Sequence, residues 1–145
     1  MEPLNQSLGT QINILARSLR LFLEKELSEY GVSPSHWMVL MALGEKNNQV
    51  QTELARTVNL DNATVTRVID KLAEKELLVR EQNRDDRREQ VVSITKKGRE
   101  TYKKWNAIGE KVNRIATQNI SISEKKSILH SFTIIKENLD SNSNK

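Results

Sequence analysis

The chain has 145 residues, with 23 lysines and arginines against 19 aspartates and glutamates, a formal net charge of +4 and no cysteine. That length suits one domain with a real core, the balance of charge permits a nucleic-acid partner without requiring one, and the lack of cysteine excludes disulfides, thiol sensing and thiolate metal sites. No apolar run approaches the ~18 residues of a membrane span and the start, MEPLNQSLGT, lacks the layout of a signal peptide, so a cytoplasmic protein with no membrane association is expected.

Leu4, Leu8, Ile12, Leu15, Leu19, Phe22 and Leu23 recur mainly at steps of three and four, which predicts an amphipathic helix over 4–30. Gly31 follows as its C-cap. Ser33 and Pro34 read as the N-cap and first residue of a second helix, whose stripe is Trp37, Leu40, Met41 and Gly44. Residues 46–49 read as a polar loop. A third helix is predicted over 52–58, with Leu54, Ala55 and Val58 inward. Asn59 stands where the chain must turn sharply, and asparagine tolerates the left-handed conformation. Asp61 is a natural N-cap for a fourth helix over 62–76. Val65, Val68, Ile69 and Leu72 form its apolar face. Ala63, Thr64, Thr66, Arg67, Asp70 and Lys71 form the other, and small polar residues followed by arginine suit an element that enters a major groove.

Two runs, 77–81 and 91–94, flank a charged tip from Asn83 to Glu89, which predicts a β-hairpin over 78–94. Thr95 caps a fifth helix with Tyr102, Trp105, Ile108, Val112, Ile115 and Ala116 on one stripe. Ser121 and Glu124 have capping-box spacing, and Ser123 is an equally good N-cap. The last helix carries Ile128, Phe132, Ile135 and Leu139 at steps of four, three and four, a coiled-coil-like seam. The tail, 141–145, reads as disordered. The first, fifth and sixth helices have stripes too narrow to close a core alone. Residues 4–30 and 96–140 are therefore expected to form a dimerisation module.

A tight helix pair followed by an arginine-rich hairpin is the pattern of a winged helix-turn-helix, here over 33–95 within a single domain of 1–145. The expected fold is mainly α, with a two-stranded wing. An enzyme is excluded by the lack of a nucleophile–base pairing, a glycine-rich phosphate loop or a carboxylate pair in an apolar setting. A structural DNA binder of chromatin type would use the same fold. It differs from a regulator in its specificity ratio for a palindromic site over random DNA.

The chain resembles the MarR (multiple antibiotic resistance regulator) family of transcription factors over nearly its full length. The residues that carry the resemblance are ELA at 53–55, TVTRVIDKL at 64–72 and LLVR at 77–80. After them comes the wing pattern Asp86-x-Arg88, then, past five intervening residues, Ile94-Thr95, and then Gly98. The resemblance implies a homodimer that grips a pseudo-palindromic operator, a repressor in many members, released by a small anionic or phenolic ligand or by cysteine oxidation. Three positions depart from the family pattern. Glu76 stands where a glycine is usual before the first wing strand. Val50 replaces the hydroxyl cap of the third helix. Ala63 replaces a serine near the start of the recognition helix.

The resemblance assigns Arg88 to the minor groove, whose negative potential attracts guanidinium. Asp86, repelled by phosphate, would orient Arg88. Arg84 and Arg87 share the tip, where all three arginines could equally well solvate a hairpin balanced by Asp85, Asp86 and Glu89. Thr64 and Thr66 are candidates to donate to phosphates or bases, or to meet thymine through their methyl groups. Arg67 would pair with guanine or with phosphate. Asn62 stands at a helix N-terminus suited to phosphate, next to Ala63, while Ser35, His36, Gln51 and Arg56 are weaker phosphate candidates. His36 and His130 fall short of a metal site, so no metal or cofactor is expected. Arg17, Trp37 and Met41 are candidates to line a pocket for a small aromatic or anionic effector. The plainer reading of Trp37 and Met41 is core.

Overall fold

A computed structural model describes residues 3–143. The chain divides into two compact units, Met1–Val112 and Asn113–Lys145. The first contains α1 (Leu8–Leu27), α2 (Pro34–Glu45), β1 (Gln49–Val50), α3 (Gln51–Thr57), α4 (Asn62–Glu74), β2 (Leu78–Gln82), β3 (Gln90–Ile94) and most of α5 (Lys96–Ala116). The second contains α6 (Ile122–Ser143).

α1 starts later than the apolar stripe suggests. The Pro3 carbonyl accepts from the backbone N–H groups of Gln6 and Ser7, which makes a turn of the first residues and leaves Leu4 outside the helix. A 3-10 turn, Ser28–Tyr30, closes α1, and Gly31 takes a left-handed φ of 64° to end it. Ser33 precedes Pro34 at the start of α2. Its backbone N–H donates to His36 Nδ1 at 3.2 Å, a capping arrangement with histidine in the place usually held by glutamate.

The polar loop expected at 46–49 proves to end in a strand. β1 pairs antiparallel with β3, Gln49 opposite Val92 and Val50 opposite Val91, so the sheet has three strands in the order β1-β3-β2 rather than two. Two residues show no alternation, and only the edge of β3, some forty residues on in the sequence, makes them a strand. The buried Gln49 side chain donates to the Ala42 and Lys46 carbonyls and closes the C-terminus of α2. Val50 precedes α3 with no side-chain cap, as its apolar side chain dictates.

Asn59 joins α3 to α4 at φ 53°, the left-handed turn expected of it. The Asp61 carboxylate accepts from the Thr64 N–H at 2.8 Å and caps α4. α4 ends at Glu74, short of 76, because Glu76 itself adopts φ 62°. A residue with a Cβ pays a strain of roughly 1–2 kcal/mol in that region. Thr95 Oγ1 accepts from the Gly98 N–H at 2.9 Å and so caps α5 as expected.

The core of the first unit joins α2, α3, α4 and the sheet. Leu27, Leu40, Leu43, Leu54, Ile69, Leu72, Leu78 and Val92 are fully buried, each contributing about 1.5–3 kcal/mol on burial. Trp105 of α5 enters the same core. The Trp37 indole N–H donates to the Trp105 carbonyl at 2.9 Å and ties α2 to α5.

In the second unit the capping box resolves in favour of Ser121. Its N–H donates to Glu124 Oε2 and its Oγ accepts from the Glu124 N–H. The tail is not disordered as far as Ser143: 141–143 continue α6, with the Ser143 hydroxyl donating to the Leu139 carbonyl. Asn144 and Lys145 lie outside the described residues. No described side chain of α6 is buried, and Ile122, Ile128, Leu129, Phe132, Ile134 and Leu139 are exposed.

No helix among the described residues is long and apolar enough to cross a membrane. None of their His, Asp and Glu side chains gather into a group of three that would hold a metal ion.

Candidate nucleic-acid interface

Three elements present the candidate residues on one side of the first unit. The start of α3 supplies Gln51, the start of α4 supplies Asn62, and the root of the wing tip supplies Arg88. All three line one open recess of about 240 Å³ together with Val50 and Gln90. The β1 pairing that the sequence hid is what brings them together, because it fixes the α3 start against β3.

The wing tip is built by short-range hydrogen bonds. Asn83 N–H donates to the Glu89 carbonyl, and Glu89 N–H to that of Asp86. Gln82 Nε2 donates to the Arg87 carbonyl at 2.7 Å. Asp86 Oδ1 accepts from both the backbone N–H and Nε of Arg88 at 3.0 Å, and Oδ2 accepts from Nη2 at 2.9 Å. The paired guanidinium holds the Asp86 carboxyl below the usual carboxylate range, and Asp86 raises Arg88 in turn. The pair is not buried: the Arg88 side chain is 89% exposed against 34% for Asp86. Asp86 thus sets the guanidinium direction while leaving its outer edge free. Arg84 and Arg87 are also exposed on the tip.

On α4, Ala63 and Arg67 are exposed and Thr64 and Thr66 half-buried. Asp61 does more than cap the helix, since Oδ2 also accepts from the Thr64 hydroxyl at 2.7 Å. Those hydrogen bonds from Thr64 lower the Asp61 carboxyl below its ordinary range. Arg67 Nη2 donates to Thr64 Oγ1 at 3.3 Å. Gln51 Nε2 donates to Thr66 Oγ1 at 2.8 Å, which links the two helices of the pair across their turn. Arg80 of β2 donates to Asp70 of α4 and links the wing to the recognition helix.

Neither the Gln51–Thr66 bond nor the Asp70–Arg80 pair announces itself in the sequence. The partners stand fifteen and ten residues apart, and only the folded helix pair and sheet bring them together. The capping role of Asp61, by contrast, follows from its position before an apolar-periodic run.

Other candidates stand apart from the recess. Ser35 is half-buried in the first turn of α2 and Arg56 is exposed on α3. His36 turns Nδ1 toward Ser33, whose hydroxyl lies 2.7 Å away. Burial, then the charges of Lys71 and Lys75, lower its pKa, so the ring is neutral near pH 7 and offers phosphate no charge. Arg17 is exposed on α1. Met41 is buried in the core and Trp37 packs against it, the plainer of the two readings open to them. Trp105 Nε1 is buried without a hydrogen-bond partner.

Comparison with known proteins agrees with this architecture. Residues 32–90, the stretch from just before α2 to the start of β3, match the profile described as the MarR family. An uncharacterized HTH-type transcriptional regulator of Bacillus subtilis, YwoH, is 30% identical over 132 residues, covering 91% of this chain and 96% of that protein. Two solved structures share the fold. One is a protein of Listeria monocytogenes assigned to the MarR family, complexed with a 26mer DNA, with TM-score 0.86 and 21% identity over 94% of this chain and 91% of that one. The other is CouR from Rhodococcus jostii RHA1 bound to p-coumaroyl-CoA, with TM-score 0.84 and 19% identity over 93% of this chain and 95% of that one. With the helix pair, the wing and a full-length relative in agreement, the chain belongs to the MarR family of winged helix-turn-helix transcriptional regulators.

Proposed function

We propose that this regulator acts in the cytoplasm as a homodimeric repressor, binding a pseudo-palindromic operator in double-stranded DNA and releasing it when a small anionic or phenolic compound binds. The observation that carries the reading is the convergence of Gln51, Asn62 and Arg88 on one recess, beside a recognition helix that exposes Ala63 and Arg67. In this reading α4 enters the major groove with Ala63, Thr64, Thr66 and Arg67 toward the bases. Arg88, held by Asp86, enters the flanking minor groove, and Arg84 and Arg87 add charge at the tip. Gln51, Asn62 and Ser35 face phosphates. The Listeria protein of the same fold is complexed with DNA, which supports DNA as the partner.

Dimerisation is supported by apolar side chains that each terminal segment leaves in water. Leu8, Leu15 and Leu19 of α1 and Ile128, Phe132 and Leu139 of α6 are exposed, and surfaces of this kind mark association sites. A second winged helix would then meet a second half-site, roughly 34 Å along B-DNA.

The ligand reading rests on the partnerless indole N–H of Trp105, since Met41 is buried in the core, Trp37 packs against it and Arg17 stands exposed on α1. A buried donor without an acceptor is costly, and an oxygen of a bound anion would supply one. Without cysteine, oxidation has no thiol to act on. The bound ligand must favour a dimer whose recognition helices no longer match successive major grooves, since equal affinity for both forms would shift nothing.

The test has two parts. The mass of the full chain in solution should be that of a dimer, and chains lacking 1–12 or 128–145 should lose both dimer and DNA binding. A duplex enriched from random DNA by the purified protein should be an inverted repeat bound at least a thousandfold more tightly than scrambled DNA at fixed salt. Salicylate should weaken that complex and quench tryptophan fluorescence, whereas peroxide and zinc chelators should do neither. A folded monomer that binds DNA with no sequence preference would overturn the proposal.

A further inference from the structure

The recognition helix spends its threonine hydroxyls on itself. A hydroxyl has a single hydrogen to donate. Thr66 Oγ1 donates to the Asn62 carbonyl at 2.8 Å and accepts from Gln51 Nε2. Thr64 Oγ1 donates to Asp61 Oδ2 at 2.7 Å and accepts from Arg67 Nη2. Neither hydroxyl has a proton left for guanine O6 or N7, thymine O4 or a phosphate oxygen. Beyond one acceptor lone pair on each oxygen, what they still offer is the methyl on each Cβ. Ala63, exposed one residue before Thr64, adds a third methyl to the same first turns.

In the major groove only one base carries an apolar group, the C5-methyl of thymine. We infer that this helix selects thymine by methyl-to-methyl contact through Ala63, Thr64 and Thr66, with Gln51 and Asp61 acting as positioning residues that hold the two hydroxyls away from the DNA. The inference rests on α4 being the element that reads the operator. It adds which bases are read and by what chemistry. It also explains how an alanine serves beside two threonines: all three present the same group.

The test uses the duplex that the purified protein enriches from random DNA, resynthesised with deoxyuridine in place of each thymine in turn. Uracil pairs as thymine does and lacks only the methyl. At one or two positions per half-site, the substitution should weaken binding by the wild-type chain about fourfold, the factor that one buried methyl carries. Thr66→Ser and Thr64→Ser keep the hydroxyl and remove the methyl. Each should weaken binding to the thymine duplex by a similar factor, and one of them should become indifferent to uracil at its own position. Helical circular dichroism and the melting temperature confirm that each variant is folded.

Uracil duplexes bound as tightly as thymine duplexes would overturn the inference and leave the operator-reading proposal standing. Failure of the library to enrich any sequence would overturn both readings.

Discussion

The Thr95 hydroxyl donates to the Glu76 carbonyl at 2.7 Å, so the residue that caps α5 also holds the left-handed turn that ends α4. The Thr95 backbone N–H donates to the neighbouring carbonyl, that of Leu77, at 3.0 Å. The exit of the recognition helix and the exit of the wing are thus pinned to one another at residues nineteen apart. That pin lets a non-glycine residue persist at φ 62°.

Glycine at position 76 should therefore stabilise the chain. Glu76→Gly removes the Cβ penalty of the left-handed region and loses a solvent-exposed ion pair with Lys97, an interaction of small value. Glycine's greater freedom in the unfolded chain offsets part of the gain. The expected net effect is about 0.5–1 kcal/mol, read as a rise of a few degrees in melting temperature. An unchanged or lower value would show that the pin has already relieved the strain.

Gly98 should tolerate no side chain. A Cβ built there collides with the Leu77 carbonyl oxygen and approaches Ile94 Cγ1 to 2.7 Å. The oxygen is backbone, and the Thr95 N–H already holds it, so it cannot withdraw cheaply. Gly98→Ala should cost about 1–3 kcal/mol, measured by denaturant unfolding, while Gly9→Ala, in open space, serves as the control.

The wing is expected to work as a positioned pair. Arg88→Ala should weaken operator binding about ten- to a hundredfold and reduce the dependence on salt. Asp86→Ala removes an anion that phosphate would repel, yet should also weaken binding, because Arg88 loses three hydrogen bonds to its orienting partner. Tighter binding by Asp86→Ala in an electrophoretic or anisotropy titration would show that charge outweighs direction. Arg67→Ala, by contrast, should alter which bases are preferred. A uniform loss on every sequence would assign Arg67 to phosphate.

Stability should fall with acid through His36. Burial and then the charges of Lys71 and Lys75 hold its folded pKa below the ordinary 6.5, so the unfolded chain binds the proton more readily. The histidine's contribution is present in full above pH 6.5 and is lost as pH falls through the folded value. Protonation also removes the Nδ1 acceptor that caps α2. His36→Gln, which keeps a capping acceptor, should flatten the decline in melting temperature between neutral pH and pH 5. Parallel curves for the two proteins would exclude this histidine as the cause.

Features fixed by near neighbours were readable from the sequence. Asp61 before an apolar run, Asn59 at a tight joint and Thr95 three residues before Gly98 each act within one helical turn, and each takes the expected role. The wing tip also formed at its expected position, between strands ending at Gln82 and beginning at Gln90. What escaped depends on distant partners. Gln49 and Val50 are a strand only because β3 lies beside them. Thr66 Oγ1 accepts a hydrogen bond only because Gln51 reaches it from another helix. The late start of α1 turned on the Pro3 carbonyl, which periodicity does not sense.

The uncovered length of α6 ties shape to concentration. A helix of 22 residues with no buried side chain is held by its backbone bonds, its N-terminal capping box and the exposed Lys136–Asp140 pair, without the packing of an apolar face that supplies most helical stability in proteins. Whatever covers its apolar face therefore also completes its folding. In the proposed homodimer, ordering of this segment and association would be one event governed by mass action. Progressive dilution of the purified chain should then be accompanied by loss of helical signal, so that the abundance of the protein, as well as any ligand, sets how much of it exists in an active form.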